Sequence, residues 1–288
     1  MLKRPIKMTL ATGLFATGLF ATVLFAAGLA RPALAGDKDP AAAADDSVVQ
    51  KIGHGEINWS KKTVTATGSG AANLKDGPVA VARLNAERAA KLDALRNVIE
   101  TIQGIQVTAT RSAGDVMSNG EIRSRIQGMA QGFKVVDTKY YSDGSVDVVV
   151  QMPIDDNLTN ALVEKPKKPH KIATEGAASY TGLIVNARGL GLTPSMAPRI
   201  VDEAGKEVYG TEVVSEKGLK QGGIVGYAKA DAQATERVGD KPLVLKGLRL
   251  DDKSKTDVVI ANGDADKLRD QNQNLSFLAD GKVVILVD

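Results

Sequence analysis

The sequence contains no cysteine, only two histidines and few aromatic residues, which make up 4% of the chain. The absence of cysteine excludes disulfides, thiol nucleophiles, cysteine-based metal sites and a lipid-modified cysteine. Two histidines cannot by themselves provide a three-histidine metal site. The hydrophobic fraction of 43% and the charged fraction of 25% are typical of a chain that folds into a globular structure.

The N-terminal segment, residues 1–35, has the pattern of a cleaved secretory signal. Three basic residues precede an apolar stretch over residues 9–30, and Ala33 and Ala35 supply the small residues before the predicted cleavage site. The apolar stretch is long enough to span a bilayer, so an uncleaved anchor stays an alternative. We predict export to the periplasm or outer envelope of a Gram-negative-type bacterium, with membrane contact only through an uncleaved signal. Residues 36–46 are predicted to be a disordered tail.

The basic character of the chain is concentrated in this leader. Residues 1–35 hold four of the 37 lysines and arginines and no acidic residue, so the remainder has 33 basic and 34 acidic residues. A nearly neutral protein gives no electrostatic reason to expect nucleic-acid binding. The aromatic residues outside the leader are scattered and are not interleaved with basic ones. We therefore predict no nucleic-acid partner.

The order of the elements predicts an α+β protein of two small domains. In the first domain, residues 47–154, two hairpins flank a long helix that begins near Pro78 and ends at Ile102, before Gly104. Small alanines on this helix would allow a close approach to an antiparallel sheet. The predicted apolar stripe of the helix consists of Ala82, Ala86, Ala89, Leu92, Leu95, Ile99 and Ile102.

The remainder of the chain divides into a connector and a second domain. Residues 155–179 contain two prolines among four lysines, which predicts an extended, solvated linker. Residues 180–288 contain several β-branched or alternating segments, and the last of them, over residues 282–287, predicts a buried strand. We predict that this second domain is mostly β, with a short helix over residues 265–271.

Part of the first domain resembles a known family. The alanine-rich helix over residues 86–100, the GFKVV motif at residues 132–136 and the DGSVDV motif at residues 143–148 follow one another in the order of the LPP20-type domain of bacterial envelope proteins. A similar unit occurs in the flagellar assembly protein FlgT. The resemblance covers residues 80–153 and implies an exported envelope protein without known catalytic residues, sometimes a lipoprotein. The lack of cysteine departs from the lipoprotein pattern.

Motifs that would indicate catalysis or cofactor binding are weak. The segment GLGLTP at residues 189–194 begins like a dinucleotide fingerprint but lacks the third glycine, so a turn is the simpler interpretation. His54 lies in a predicted turn, where a role with Glu56 is the functional alternative, and His170 lies in the lysine-rich connector. We predict no catalytic residue, no cofactor and no metal.

Acidic pairs suggest a calcium site only weakly. The pair Asp251-Asp252 and the pair formed by Asp264 and Asp266 lack the spacing of an EF-hand loop, and both pairs lie beside predicted turns or caps. Solvated turn residues are therefore the simpler interpretation of both.

The loop over residues 189–199 is the best candidate for a partner contact, because it combines glycines and prolines with Arg188, Met196 and Arg199. Our leading hypothesis is a non-enzymatic structural or partner-binding protein of the envelope, accessory to envelope or flagellar assembly, whose partners are other envelope proteins. One alternative is a module that binds a ligand or a glycan, in which Trp59 or clustered tyrosines would line a groove. Another is a hydrolase that uses two carboxylates in one pocket.

Overall fold

The computed structural model describes residues 46–73, 75, 78–164 and 172–288. The predicted signal, most of the predicted tail and His170 lie outside the described residues. No helix of the described residues is both long and apolar enough to cross a bilayer.

An antiparallel sheet and one long helix dominate the N-terminal half. Its elements are β1 (Val49–Ile52), β2 (Gly55–Asn58), β3 (Thr63–Gly70), α1 (Val79–Gln103), β4 (Gln106–Thr108), β5 (Arg111–Ser112), α2 (Ala113–Val116), α3 (Gly120–Ala130), β6 (Lys134–Tyr140), β7 (Val146–Pro153) and α4 (Asp156–Leu162). Five strands form a sheet in the order β1-β2-β3-β7-β6, and β4 pairs with β5. α4 lies within the predicted linker and buries Leu158 and Leu162.

The long helix lies on the sheet as predicted, but its buried face differs from the predicted stripe. Leu92 is 69% exposed, whereas Ala90 and Ala94 are fully buried. The facing strand β3 presents Gly68 and Gly70, whose Cα atoms come so close to α1 that only alanine-sized side chains fit between them. The predicted stripe is therefore confirmed at Ala82, Ala86 and Ile102, and it is wrong at Leu92, where the hydrophobicity of leucine was misleading. The buried face consists of Ala82, Ala86, Ala90, Ala94, Asn97, Val98, Thr101 and Ile102.

The C-terminal half is built around a mixed seven-stranded sheet. Its elements are β8 (Gly182–Asn186), β9 (Ile200–Val201), β10 (Glu207–Tyr209), α5 (Glu216–Gly222), β11 (Gly226–Ala228), α6 (Asp231–Val238), β12 (Pro242–Leu250), β13 (Val258–Ile260), α7 (Asn262–Lys267), α8 (Ser276–Ala279) and β14 (Val283–Leu286). The strand order is β10-β9-β13-β12-β8-β14-β11, and β8 runs parallel to both its neighbours. The predicted α+β class is confirmed. The predicted helix over residues 265–271 begins and ends earlier, as α7.

The two halves pack against each other within one compact unit, and a single hydrophobic core cluster includes residues of both. The Ser60 hydroxyl in the β2–β3 turn donates to the Tyr227 carbonyl of β11 (3.0 Å). The Met196 N–H donates to the Gln106 carbonyl of β4 (2.9 Å). The first of these contacts holds the β2–β3 turn beside β11, where a cleft lies.

Candidate functional site

A cleft of about 450 Å³ lies between the β2–β3 turn and the region where α5, β11 and α6 meet. This volume is in the range that accommodates a small ligand or a short peptide segment. Both halves of the chain contribute to its wall, so the cleft exists only when they are packed together. The lining residues that carry charge are Lys62, Glu236, Arg237, Asp280 and Lys282.

Lys62 reaches the cleft from a tight turn. Lys62 has a φ of 52°, and among the described residues no other non-glycine residue has a positive φ. Such a backbone conformation is costly for an L-amino acid. The turn conformation directs the side chain towards α5, where the Nζ atom donates a hydrogen bond to the Gly222 carbonyl. An ammonium group has three N–H donors, so two remain for a ligand.

Arg237 lies in the last turn of α6 and points into the loops that follow α5 and precede β14. Its guanidinium donates to the carbonyls of Gly222 (2.6 Å), Gly223 (3.0 Å) and Gly281 (2.6 and 2.9 Å). The carbonyls at the end of α5 lack partners within the helix, and a cation is well suited to them. Arg237 therefore connects three chain segments at the floor of the cleft.

The two cations share the Gly222 carbonyl as a hydrogen-bond acceptor. The pKa of Lys62 is lowered to about 8, first by burial and then by the neighbouring Arg237 guanidinium, while the Asp156 carboxylate opposes both effects. Burial also lowers the pKa of Arg237. Among the described residues, no salt bridge joins either cation to a carboxylate, and their hydrogen bonds all go to backbone carbonyls. An anion bound here would relieve the mutual repulsion of the two cations.

A smaller cavity of about 50 Å³ adjoins the same turn. It shares Trp59, Lys62 and Tyr227 with the larger cleft, and Ser195 and Met196 also line it. The buried Ser195 hydroxyl has no hydrogen-bond partner among the described residues. A buried hydroxyl of this kind is a ready donor or acceptor for a polar group that enters the cavity.

The three residues predicted for a partner contact have no hydrogen-bond partner in common. The Arg188 Nε atom donates to the Lys229 carbonyl (2.9 Å). Met196 is buried and lines the small cavity. The Arg199 Nη2 and Nε atoms donate to Asp257 Oδ2 (2.7 and 2.9 Å). Only Met196 thus approaches the cleft, and the partner role predicted for the loop stays a prediction.

The other candidate residues from the sequence have different surroundings. Trp59 lines the cleft, but it is only 7% exposed, and its ring contacts Tyr227 edge-on with centroids 5.6 Å apart. His54 is exposed in the turn between β1 and β2. Asp251 and Asp257 both approach Arg199, at 3.8 and 2.7 Å, and so belong to an ion-pair cluster. Among the described residues no group of three His, Asp or Glu side chains could hold a metal ion.

Sequence reasoning missed Lys62 and Arg237 as site residues. The sequence analysis assigns no role to Lys62 and predicts no element over residues 231–238. The signals for α6 are nevertheless present, because Asp231 begins the segment, Arg237 lies in its last turn and Gly239 follows it, which is the charge and stop pattern of a helix. The meeting of the two cations depends on how the halves pack, and no local pattern predicts that.

The fold and cleft together define an α+β protein in which a helix-covered antiparallel sheet and a mixed sheet belong to one compact unit. Residues 182–288 match a family model described as Treponema pallidum Tp0624, second domain. These residues contain all seven strands of the mixed sheet and Arg237, whereas Lys62 lies outside them. No curated protein matches the chain significantly. The match lies outside residues 80–153, so the LPP20-type resemblance stays a prediction.

Proposed function

We propose that this protein is an exported envelope protein of a Gram-negative-type bacterium that acts by binding, and that the cleft at Lys62 and Arg237 takes an anionic group of its ligand. The observation that carries the proposal is the convergence of two partly buried cations on one cleft, neither of which forms a salt bridge with a carboxylate of the described residues. The ligand group is a phosphate or carboxylate of an envelope component. The leader-like residues 1–35 and the similarity of residues 182–288 to the Tp0624 second domain support the envelope setting.

A partner role in envelope or flagellar assembly is compatible with this binding chemistry, because an acidic segment of another protein carries the same carboxylates. The glycan alternative receives less support, since Trp59 is only 7% exposed where it lines the cleft and so offers little ring surface to stack on a sugar. We therefore favour charge recognition over aromatic stacking.

Anion binding is tested by thermal unfolding of the purified protein in sulfate, inorganic phosphate or succinate at constant ionic strength. A ligand at ten times its Kd stabilises the folded state by about 1.4 kcal/mol, which raises Tm by roughly 2–4 °C in a chain of this size. Lys62→Met should remove this increase, whereas Lys61→Met, its neighbour in the same turn, should retain it. Phosphate and succinate distinguish the two ligand chemistries.

The increase in Tm on adding sulfate should also depend on pH. Because burial lowers the pKa of Lys62 to about 8, the side chain loses its proton as pH rises through that value. The stabilisation by sulfate, which does not titrate in this range, should therefore be largest at pH 7 and should fall between pH 8 and 9. An equal response of Lys62→Met and wild type, or a flat pH profile, would contradict the proposed site.

Export is tested with the full chain carrying a C-terminal tag in a Gram-negative host. We expect the protein in the periplasmic or envelope fraction, with an N terminus at Gly36 by mass spectrometry, because Ala33 and Ala35 satisfy the signal-peptidase pattern. Replacement of Ala35 by a bulky residue (Ala35→Phe) should leave the leader attached. Recovery from the cytosol with residues 1–35 intact would exclude the envelope setting.

A further inference from the structure

The outer edge of β6 is open in the five-stranded sheet. β6 is the last strand in the sheet order, and no strand of the described residues pairs with its outer side. Nearly the whole strand is exposed, including the apolar residues Val135, Val136 and Tyr140. An open, partly apolar strand edge is a template for pairing with another chain, and proteins manage such edges explicitly.

The hydrogen-bond pattern of the β6–β7 hairpin shows which backbone groups point outward. The Tyr141 N–H donates to the Ser145 carbonyl (2.9 Å). Bonded positions alternate along an antiparallel pair, so Lys139 and Asp137 also bond towards β7. The N–H and carbonyl groups of Thr138 and Tyr140 therefore point away from β7. The outward Thr138 N–H donates to the Asp137 carboxylate (2.8 Å), which shields the edge in the isolated chain.

Tyr140 is held in position on the helix side of this edge. Its hydroxyl donates to Glu87 Oε2 (3.0 Å), and the Arg83 guanidinium lies 5.8 Å from its ring centroid. The ring nevertheless stays 53% exposed. A pre-positioned, exposed aromatic ring beside open backbone groups is well suited to packing against a second strand.

We propose that β6 pairs antiparallel with β6 of a second copy of this chain, with Thr138 opposite Thr138 across a two-fold axis. In this register Asp137 lies opposite Lys139 of the other copy. On the other face of the sheet, Tyr140 lies opposite Val136, which is at the register shift between Val135 and Asp137 of β6. Each Asp137 carboxylate leaves its own Thr138 N–H for the opposing lysine, and Thr138 then bonds across the axis. The two five-stranded sheets become one ten-stranded sheet.

Charge selects this register over its neighbours. A shift by two residues in one direction places Asp137 opposite Asp137, and the opposite shift places Lys139 opposite Lys139. Like charges directly opposite each other destabilise a strand pair, whereas opposite charges contribute about 0.2–1 kcal/mol. The proposed register is the one of the three that pairs unlike charges twice. Because the proposed contact is limited to one pair of edge strands, we expect a weak dimer that dissociates on dilution.

Sedimentation velocity over a range of protein concentrations tests the dimer. Asp137→Lys and Lys139→Asp should each give a monomer, since each places like charges opposite each other twice. The combined Asp137→Lys/Lys139→Asp variant should restore the dimer, because the pairs are re-formed with reversed signs. Glu121→Lys, an exposed charge change on α3, should leave dimerisation unchanged.

The register is tested by cross-linking, since the chain has no cysteine of its own. Opposing Cα atoms of a bonded antiparallel pair lie about 5.5 Å apart, within the range of a disulfide. Thr138→Cys should therefore cross-link two chains on mild oxidation, and Ser142→Cys should not. A monomer at every concentration, a dimer that persists in Asp137→Lys, or a charge swap that fails to restore the dimer would each overturn the proposal. If the protein is a monomer at every concentration, the open edge of β6 does not pair with a second copy of this chain.

Discussion

Gly68→Ala should lower the free energy of unfolding by about 3 kcal/mol, the upper end of the usual cost of overpacking. A Cβ atom at this position would lie 2.0 Å from the Ala94 nitrogen and 2.3 Å from the Ala90 carbonyl oxygen. Both atoms belong to the backbone of α1, so no side-chain rotation relieves the overlap and the helix must move away from β3. Urea unfolding followed by circular dichroism measures the loss.

Two further variants make this prediction specific. Ala90→Gly combined with Gly68→Ala should not restore stability, because the conflict is with the helix backbone rather than with the Ala90 side chain. Gly128→Ala on α3 is the matched control, since a Cβ atom there has no neighbour within 4 Å. That variant should gain about 0.5–1 kcal/mol from the better helix propensity of alanine. A loss below 1 kcal/mol in Gly68→Ala would mean that α1 does not lie this close to the sheet.

The same close contact explains how far the sequence could predict the fold. Pro78 and Gly104 mark the two ends of α1, and the threonine-alternating hairpin and the Asp143-Gly144 turn fall at the predicted places. These signals are local, so they predict the ends of elements without knowledge of what the elements pack against. The buried face of α1 is different, because it depends on two glycines in another element.

The C-terminal half shows the same division between local and long-range information. The strands β8 and β14 are predicted by their β-branched runs and β12 by its alternating pattern, because such patterns suit strands whatever their neighbours are. The parallel pairing of β8 with both of the others has no local signal. The cleft is also a product of packing, since Lys62 and Arg237 are 175 positions apart in the chain. Sequence reasoning sought a site at His54 and at the acidic pairs. In the structure His54 lies in a turn, and Asp251, Asp252 and Asp264 lie in ion pairs.

The Arg199–Asp257 pair has a structural role that the sequence did not predict. Arg199 was a candidate for a partner contact, and Asp257 was assigned no role. Asp257 is fully buried at the start of β13, and Arg199 precedes β9, its parallel neighbour. One carboxylate oxygen of Asp257 accepts from the Arg199 N–H (3.0 Å) and the Thr256 hydroxyl (3.1 Å), and the other accepts two guanidinium donors. The pair therefore fixes the ends of two adjacent strands.

Asp257→Ala should lower the free energy of unfolding by about 2–3 kcal/mol. The change leaves a backbone N–H and a hydroxyl without their acceptor, and the cost of breaking a buried pair is moderated because the Arg199 side chain is 41% exposed and regains water. Asp257→Asn should cost less, since one amide oxygen still accepts. Asp252→Ala is the control, because its carboxylate is 87% exposed and its pair with Arg249 contributes less than about 1 kcal/mol. Equal losses in Asp257→Ala and Asp252→Ala would show that the buried pair does not connect the strands.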